Sequence, residues 1–152
     1  MLSQAKLNAM KIIREEFKQL NRKPLQNLGI TVGLFDEDNI FEWKCTIIGP
    51  TDTCYKGGLF HLKIKFPDDY PNSQPEIIFL SPIYHLNVKY FVGNEQPLGH
   101  ICVSTLNFWN PGDSVINNRA LFEEKAKHFT KKYASPHLMK IKEYPNGWDF
   151  TY

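Results

Sequence analysis

The sequence predicts an α+β fold in which an N-terminal and a C-terminal helix pack against one face of a four-stranded antiparallel meander. Three observations carry that expectation. Apolar residues recur at helical spacing near both ends of the chain, they alternate with polar residues in between, and proline and glycine crowd the stretch after the alternation. The 152 residues are 42% hydrophobic, enough to bury one core, so a single main domain is expected.

From Ser3 to Leu20, the residues Leu7, Met10, Ile13, Phe17 and Leu20 recur at steps of three and four, the spacing of one helix face. Pro24 follows its end. Lys11, Arg14 and Lys18 form a basic stripe on the other side, for which a solvated face and a docking face are both open. A two-residue period then marks strands at Ile30, Val32 and Leu34; at Phe41, Trp43, Cys45 and Ile47; at Phe60, Leu62, Ile64 and Phe66; and over Ile77 to Leu80. The turn-rich stretches from Asp36 to Asn39 and from Gly49 to Gly58 make a meander the economical topology. Pro67, Pro71, Pro75 and Pro82 leave little room for regular structure between Pro67 and Ile77. Tyr84 to Ser114 shows no sustained period and reads as a long loop packed on the sheet. Phe122, Ala126, Phe129 and Tyr133 mark the last helix, with Asn117 or Asn118 as its N-cap.

Charge and cysteine content narrow the function classes. The 18 basic and 16 acidic residues nearly balance at +2, which gives no support to nucleic-acid or membrane-surface binding. The sequence shows no bilayer-length apolar run and no signal-peptide core. Three cysteines without a C-x-x-C pair fit neither a disulfide framework nor a zinc site, so reduced thiols in the cytoplasm or nucleus are expected, with no metal. Cys45 shares strand parity with core residues and reads as a buried apolar residue. Cys54 lies in a turn with nothing around it arranged for catalysis. Cys102 follows Gly99-His100-Ile101 in the loop-rich segment, where a thiol can meet an incoming protein, with packing as the alternative.

Tyr84-His85-Leu86-Asn87, then Gly99-His100-Ile101-Cys102, then Trp109-Asn110-Pro111, resembles the active-site signature of ubiquitin-conjugating enzymes. Trp43 to Pro50, Tyr55-Lys56-Gly57-Gly58-Leu59-Phe60, and Phe66-Pro67-Asp68-Asp69-Tyr70-Pro71 followed by Pro75 are similar to that family's strand and loop markers, in the right order. The likeness runs from about Ala9 to Trp109 and resumes over Ala120 to Ala134.

The resemblance implies that Cys102 accepts ubiquitin or a ubiquitin-like protein from an activating enzyme as a thioester and passes it to a lysine of a substrate protein, usually with a ligase. No cofactor is implied. Asn87 matches the asparagine whose amide stabilises the oxyanion of the second step, with ordering of the loop as its other reading. His85 braces that loop, and Tyr84 stands at the edge of the lysine path or packs in the core. Lys11 and Arg14 would dock the activating enzyme. Asn72 and Asn110-Pro111 occupy the ligase-receiving positions, although many ligase-binding members carry an aromatic where this chain has Asn72.

The chain also departs from the family. Leu86 replaces a proline, Val88 to Leu98 includes an extra stretch, and the interval from Trp109 to Tyr133 lacks the segment that forms one wall of the groove beside the thiol. Asp113 cannot be assigned that segment's acidic residue. Residues 1–135 read as the core domain and 136–152 as an aromatic and basic extension, expected to pack on the body or meet a partner. Three other function classes stand beside the transferase: an inactive scaffold that binds the modifier or a ligase, a Cys/His hydrolase using Cys102 with His85 or His100, and an RNA-binding module. For the hydrolase no oriented third partner is evident, and for the RNA module no recognisable motif.

Overall fold

The computed structural model describes residues 1–22, 28–93, 96–101, 119–135 and 142–151, and in the last helix the side chains from 124 onward. Helix α1 spans Gln4–Arg22. Ser3 caps it, its hydroxyl accepting the Lys6 N–H at 3.2 Å, which satisfies one of the free donors of the first turn. Ala9 and Ile13 are fully buried, and Phe17 and Leu20 pack beside them. Leu7, counted on the apolar face from its spacing, is 38% exposed. At about 100° per residue it lies roughly 120° around the helix from Ile13, off the buried stripe.

Strands β1 (Ile30–Leu34), β2 (Glu42–Ile48), β3 (Leu59–Lys65) and β4 (Glu76–Phe79) form an antiparallel sheet in sequence order. The register aligns every apolar alternation on one face. Val32, Cys45, Leu62 and Phe79 make one cross-strand row, and Leu34, Trp43, Ile64 and Ile77 the next. A slip of one residue would turn both rows outward, so burial fixes the register. Helix α1 lies against this face through Phe17, whose ring meets Trp43 edge-on at 5.4 Å, while Phe66 closes the other side of Trp43 at 4.7 Å. The opposite face carries Lys44, Lys63, Thr46 and His61.

After β3 the chain runs irregularly to Glu76, as its prolines require. The loop is tied to α1 by the Tyr70 hydroxyl, which donates to the Glu16 carboxylate at 2.9 Å, and by a Lys6–Asp68 ion pair. Helix α2 spans Arg119–Tyr133, with Ala126, Phe129 and Thr130 buried and Tyr133 half-buried, and Ala134 just past its end is buried too. Asn117, Asn118 and the Phe122 side chain fall outside the described residues. The Leu59 N–H donates to the Ala134 carbonyl at 2.7 Å, tying the end of α2 to the start of β3. Gly58 makes the approach possible, because a Cβ there would lie 2.7 Å from Thr130.

The C-terminal segment packs on the body. Trp148 is 5% exposed within the core cluster, and Phe150 contacts Tyr84, Tyr90 and Phe129 at centroid distances of 5.2, 5.7 and 4.9 Å. The Tyr133 hydroxyl donates to the Asp149 carbonyl.

Candidate functional site

Tyr84, His85 and Asn87 share a short turn that is braced on both sides. The Tyr55 hydroxyl donates to the Tyr84 carbonyl at 2.8 Å, and the Tyr55 ring lies 6.0 Å from that of His85. His85 closes the turn twice: its carbonyl accepts the Val88 N–H at 3.2 Å, and its Nδ1 accepts the Asn87 N–H at 3.1 Å. An imidazole that accepts at Nδ1 carries its proton on Nε2, so the ring is neutral. Burial pushes the His85 pKa below 6.5, which keeps it so. Burial also raises the Tyr55 phenol well above its ordinary value, leaving it a permanent donor. Exposed Leu86 sits at the tip, where the turn is held by His85. Tyr84 itself packs between Phe129 and Phe150, the core role that its sequence reading held open.

Gly99, His100 and Ile101 run between two partners. On one side Phe79 N–H donates to the Gly99 carbonyl at 2.7 Å and Ile101 N–H to the Ile77 carbonyl at 2.9 Å, extending the sheet beyond β4. On the other, Val88 and Ile101 form an antiparallel bridge, Lys89 N–H donates to the His100 carbonyl, and Gly99 N–H donates to the Lys89 carbonyl. The extra stretch therefore has paired ends: its added length lies outside the pairing and leaves Asn87 next to the residue opposite Ile101. Ile101 is bonded to Cys102. Cys102, Trp109, Asn110, Pro111 and Asp113 lie outside the described residues.

Of the other cysteines, Cys45 is 5% exposed and burial pushes its thiol pKa up to about 11, so it is inert in the core at neutral pH. Cys54 is half-buried beside Tyr55, with which it shares a hydrogen bond. It lines a cavity together with Lys56 from its own turn and Lys127 and Lys131 from α2. The sequence hid the two α2 lysines because they lie some seventy residues away. Among the described residues no cluster of His, Cys, Asp or Glu is arranged to hold a metal ion, and no helix is long and apolar enough to cross a membrane.

Lys11 and Arg14 are exposed on α1, facing away from Ile13. Asn72 is exposed in the proline loop, its N–H donating to the Asp69 carbonyl at 2.9 Å. The Tyr70–Glu16 and Lys6–Asp68 contacts lay that loop along α1.

Two contributors were missed in the sequence reading. Tyr55 belonged to a recognised marker, and its hydroxyl was the only signal available for the brace. The second is a cleft of about 720 Å³ beside Asn87 and His100, whose far wall is Trp148, Asp149 and Phe150. Only the aromatic density of the C-terminal segment hinted at it.

The sequence model of the ubiquitin-conjugating enzyme family matches residues 12–131. The ubiquitin-conjugating enzyme E2 13 of Arabidopsis thaliana is 44% identical over 102 residues, 67% of this chain and 55% of the relative. The ubiquitin-conjugating enzyme E2 15 of Schizosaccharomyces pombe is 42% identical over 67% of this chain and 54% of its own length. The ubiquitin-conjugating enzyme E2 G2 of Homo sapiens is 39% identical over 71% of this chain and 59% of its own. The chain thus aligns with a little over half the length of these relatives.

Proposed function

The chain belongs to the ubiquitin-conjugating enzyme family, and from that premise we propose that it accepts ubiquitin or a ubiquitin-like protein as a thioester on Cys102 and transfers it to a lysine amine of a substrate protein. The single observation that carries this reading is the Val88–Ile101 bridge. It ties Ile101, the residue bonded to Cys102, to the residue that follows Asn87, which supports pairing Asn87 and Cys102 in one site.

The chemistry then divides into two steps. The Cys102 thiolate attacks the thioester carbonyl held by the activating enzyme; a new C–S bond forms, the enzyme's thiolate leaves, and the exchange is nearly isoenergetic. A lysine amine next attacks the carbonyl on Cys102. The Asn87 amide donates to the oxygen as it becomes negative, the C–S bond breaks with its electron pair returning to the Cys102 sulfur, the amine gives up its proton to water or to that thiolate, and an isopeptide remains. His85 holds the Asn87 backbone and is spent as an acceptor in doing so, which disfavours the Cys/His hydrolase with this histidine. Tyr84 anchors the turn.

Lys11 and Arg14 are proposed to receive the activating enzyme, and Asn72 with Asn110 and Pro111 the ligase. Residues 1–135 form the conjugating core and 136–152 its extension, and the protein works in the cytoplasm or nucleus without binding nucleic acid or membrane.

Incubation with activating enzyme, ATP and a panel of modifiers tests the proposal. A thioester that reducing agent cleaves, replaced by a stable oxyester in Cys102→Ser, is the expected result. No adduct with any modifier would favour the second reading, a scaffold that binds modifier or ligase, which draws on the shortened interval after Trp109.

A further inference from the structure

Two of the parts of this chain that depart from the family pattern, the extra stretch and the C-terminal extension, pack on each other. Trp148 N–H donates to the Tyr90 carbonyl at 2.9 Å, joining the C-terminal segment to the extra stretch after Asn87. Gly147, with φ +85°, fits where a Cβ would stand 2.8 Å from that carbonyl oxygen and 3.1 Å from the Phe91 Cα. Between this junction and the Asn87 turn lies the 720 Å³ cleft.

Its walls have a definite chemistry. Tyr84, Tyr90, Phe91, Trp148 and Phe150 contribute aromatic surface. Leu86, Tyr90 and Phe91 carry that apolar character onto the exposed rim, where each is between 39% and 51% accessible. The indole N–H of Trp148 is buried with no hydrogen-bond partner among the described residues. Among the described residues, Lys89 and Asp149 are the charged side chains that line the cleft, and Lys132 lies near enough to act on Asp149. Lys89 has its ammonium bound by the carbonyls of Gly93 and Gln96 over the Phe91 ring. Asp149 is exposed, and one carboxylate oxygen takes the N–H and the hydroxyl of Thr151 at 2.9 and 2.6 Å, which fixes the group at the rim.

A fixed carboxylate beside aromatic faces suits a cation on an aliphatic stem, and the apolar rim suits large apolar neighbours. We infer that this cleft recognises a protein segment in which a lysine is flanked by large apolar residues, and thereby selects the acceptor of the modifier. Recognition follows from the cleft alone, whereas the fate of the lysine rests on the transferase reading above.

Binding to the uncharged full chain tests this directly. The probes are the blocked peptide Gly-Phe-Lys-Leu-Gly, its acetyl-lysine form, and a form with serine in place of Phe and Leu, each followed by backbone amide shifts. The first should shift the signals of Tyr90 and Asp149, and affinity should fall roughly fivefold or more for the other two peptides. Tyr90→Ala and Asp149→Asn should produce the same loss for the first peptide. Both variants preserve the hydrogen bonds that hold the segment, since the Tyr90 carbonyl remains and an asparagine oxygen can still accept from Thr151; Tyr90→Ala gives up the ring contact with Phe150, while Asp149→Asn keeps every ring in place. Equal affinity for all three peptides, or unchanged affinity in both variants, overturns the inference. The charging assay reports separately: selective binding without any thioester removes the transferase reading and leaves the recognition site, and a thioester without selective binding does the reverse.

Discussion

The Nδ1 atom of His85 accepts the backbone N–H of Asn87 at 3.1 Å, so the histidine next to the proposed active site is a neutral brace with its lone pair already engaged. Catalytic effects of His85 must therefore pass through the position of Asn87.

Replacing His85 with Ala should cost about 1–2 kcal/mol of stability through the orphaned N–H and lost packing. In single-turnover assays it should slow discharge to lysine more than it slows thioester formation. Acid should act in the same direction. Burial holds His85 below its ordinary 6.5, and His61 is lowered by burial and by Lys44. The unfolded chain therefore binds protons that the folded chain refuses. Stability is full above pH 6.5, begins to fall as pH drops through that value, and is fully lost for each group below its lowered folded pKa. Urea midpoints from pH 8 to pH 5 should show this slope, and a His61→Gln, His85→Gln chain should show less of it.

Cys45 should resist alkylation. Its thiol is in the core cluster with a pKa of about 11, so at pH 8 both access and thiolate are lacking. Mass spectrometry after iodoacetamide treatment should find Cys45 unmodified in the native protein and modified in denaturant. Rapid native labelling at Cys45 would contradict the register that pairs it with Val32 and Leu62.

The strands were legible because burial on one sheet face writes a two-residue period into sequence, and Trp43, Cys45 and Ile47 obey it without exception. Leu7 was misread because a run of three- and four-residue steps drifts around a helix, and only packing reveals which edge of the stripe is covered. The turn at Asn87 was legible as a motif, yet its brace was not: the Tyr55 hydroxyl reaches Tyr84 across 29 positions, and no local pattern encodes that distance. The cleft was least legible, since it arises where two segments with no periodicity meet.

The C-terminal segment should contribute measurably to folding. Trp148 is buried against Phe150 at a centroid distance of 6.1 Å, and Trp148→Ala should cost about 3–5 kcal/mol through the cavity it leaves. Trp148→Phe should cost less, about 1–2 kcal/mol, because it keeps an aromatic ring and removes a buried N–H that has no partner among the described residues. Urea denaturation of both variants measures the difference; equal costs would show that ring volume alone matters at this position.

Gly99 sets the position of the strand that leads to Cys102, and its substitution separates two causes of strain. Its φ is +82°, a conformation that side chains disfavour, and a Cβ there would lie 1.9 Å from the Phe79 carbonyl oxygen. Gly57 has nearly the same φ, +81°, and a Cβ there would meet nothing within 4 Å among the described residues. Gly57→Ala should therefore cost about 1 kcal/mol, the conformational part alone. Gly99→Ala should cost about 3 kcal/mol or more, because the clash is with backbone that cannot rotate aside. Relief requires breaking the Phe79–Gly99 hydrogen bond and moving Ile101 away from Val88. Thioester formation should fall at least about tenfold in Gly99→Ala, a change worth about 1.4 kcal/mol in the barrier, and stay near the parent rate in Gly57→Ala. Equal stabilities for the two variants would mean that the glycine is needed only for its backbone angle, and that the segment before Cys102 is not held by β4.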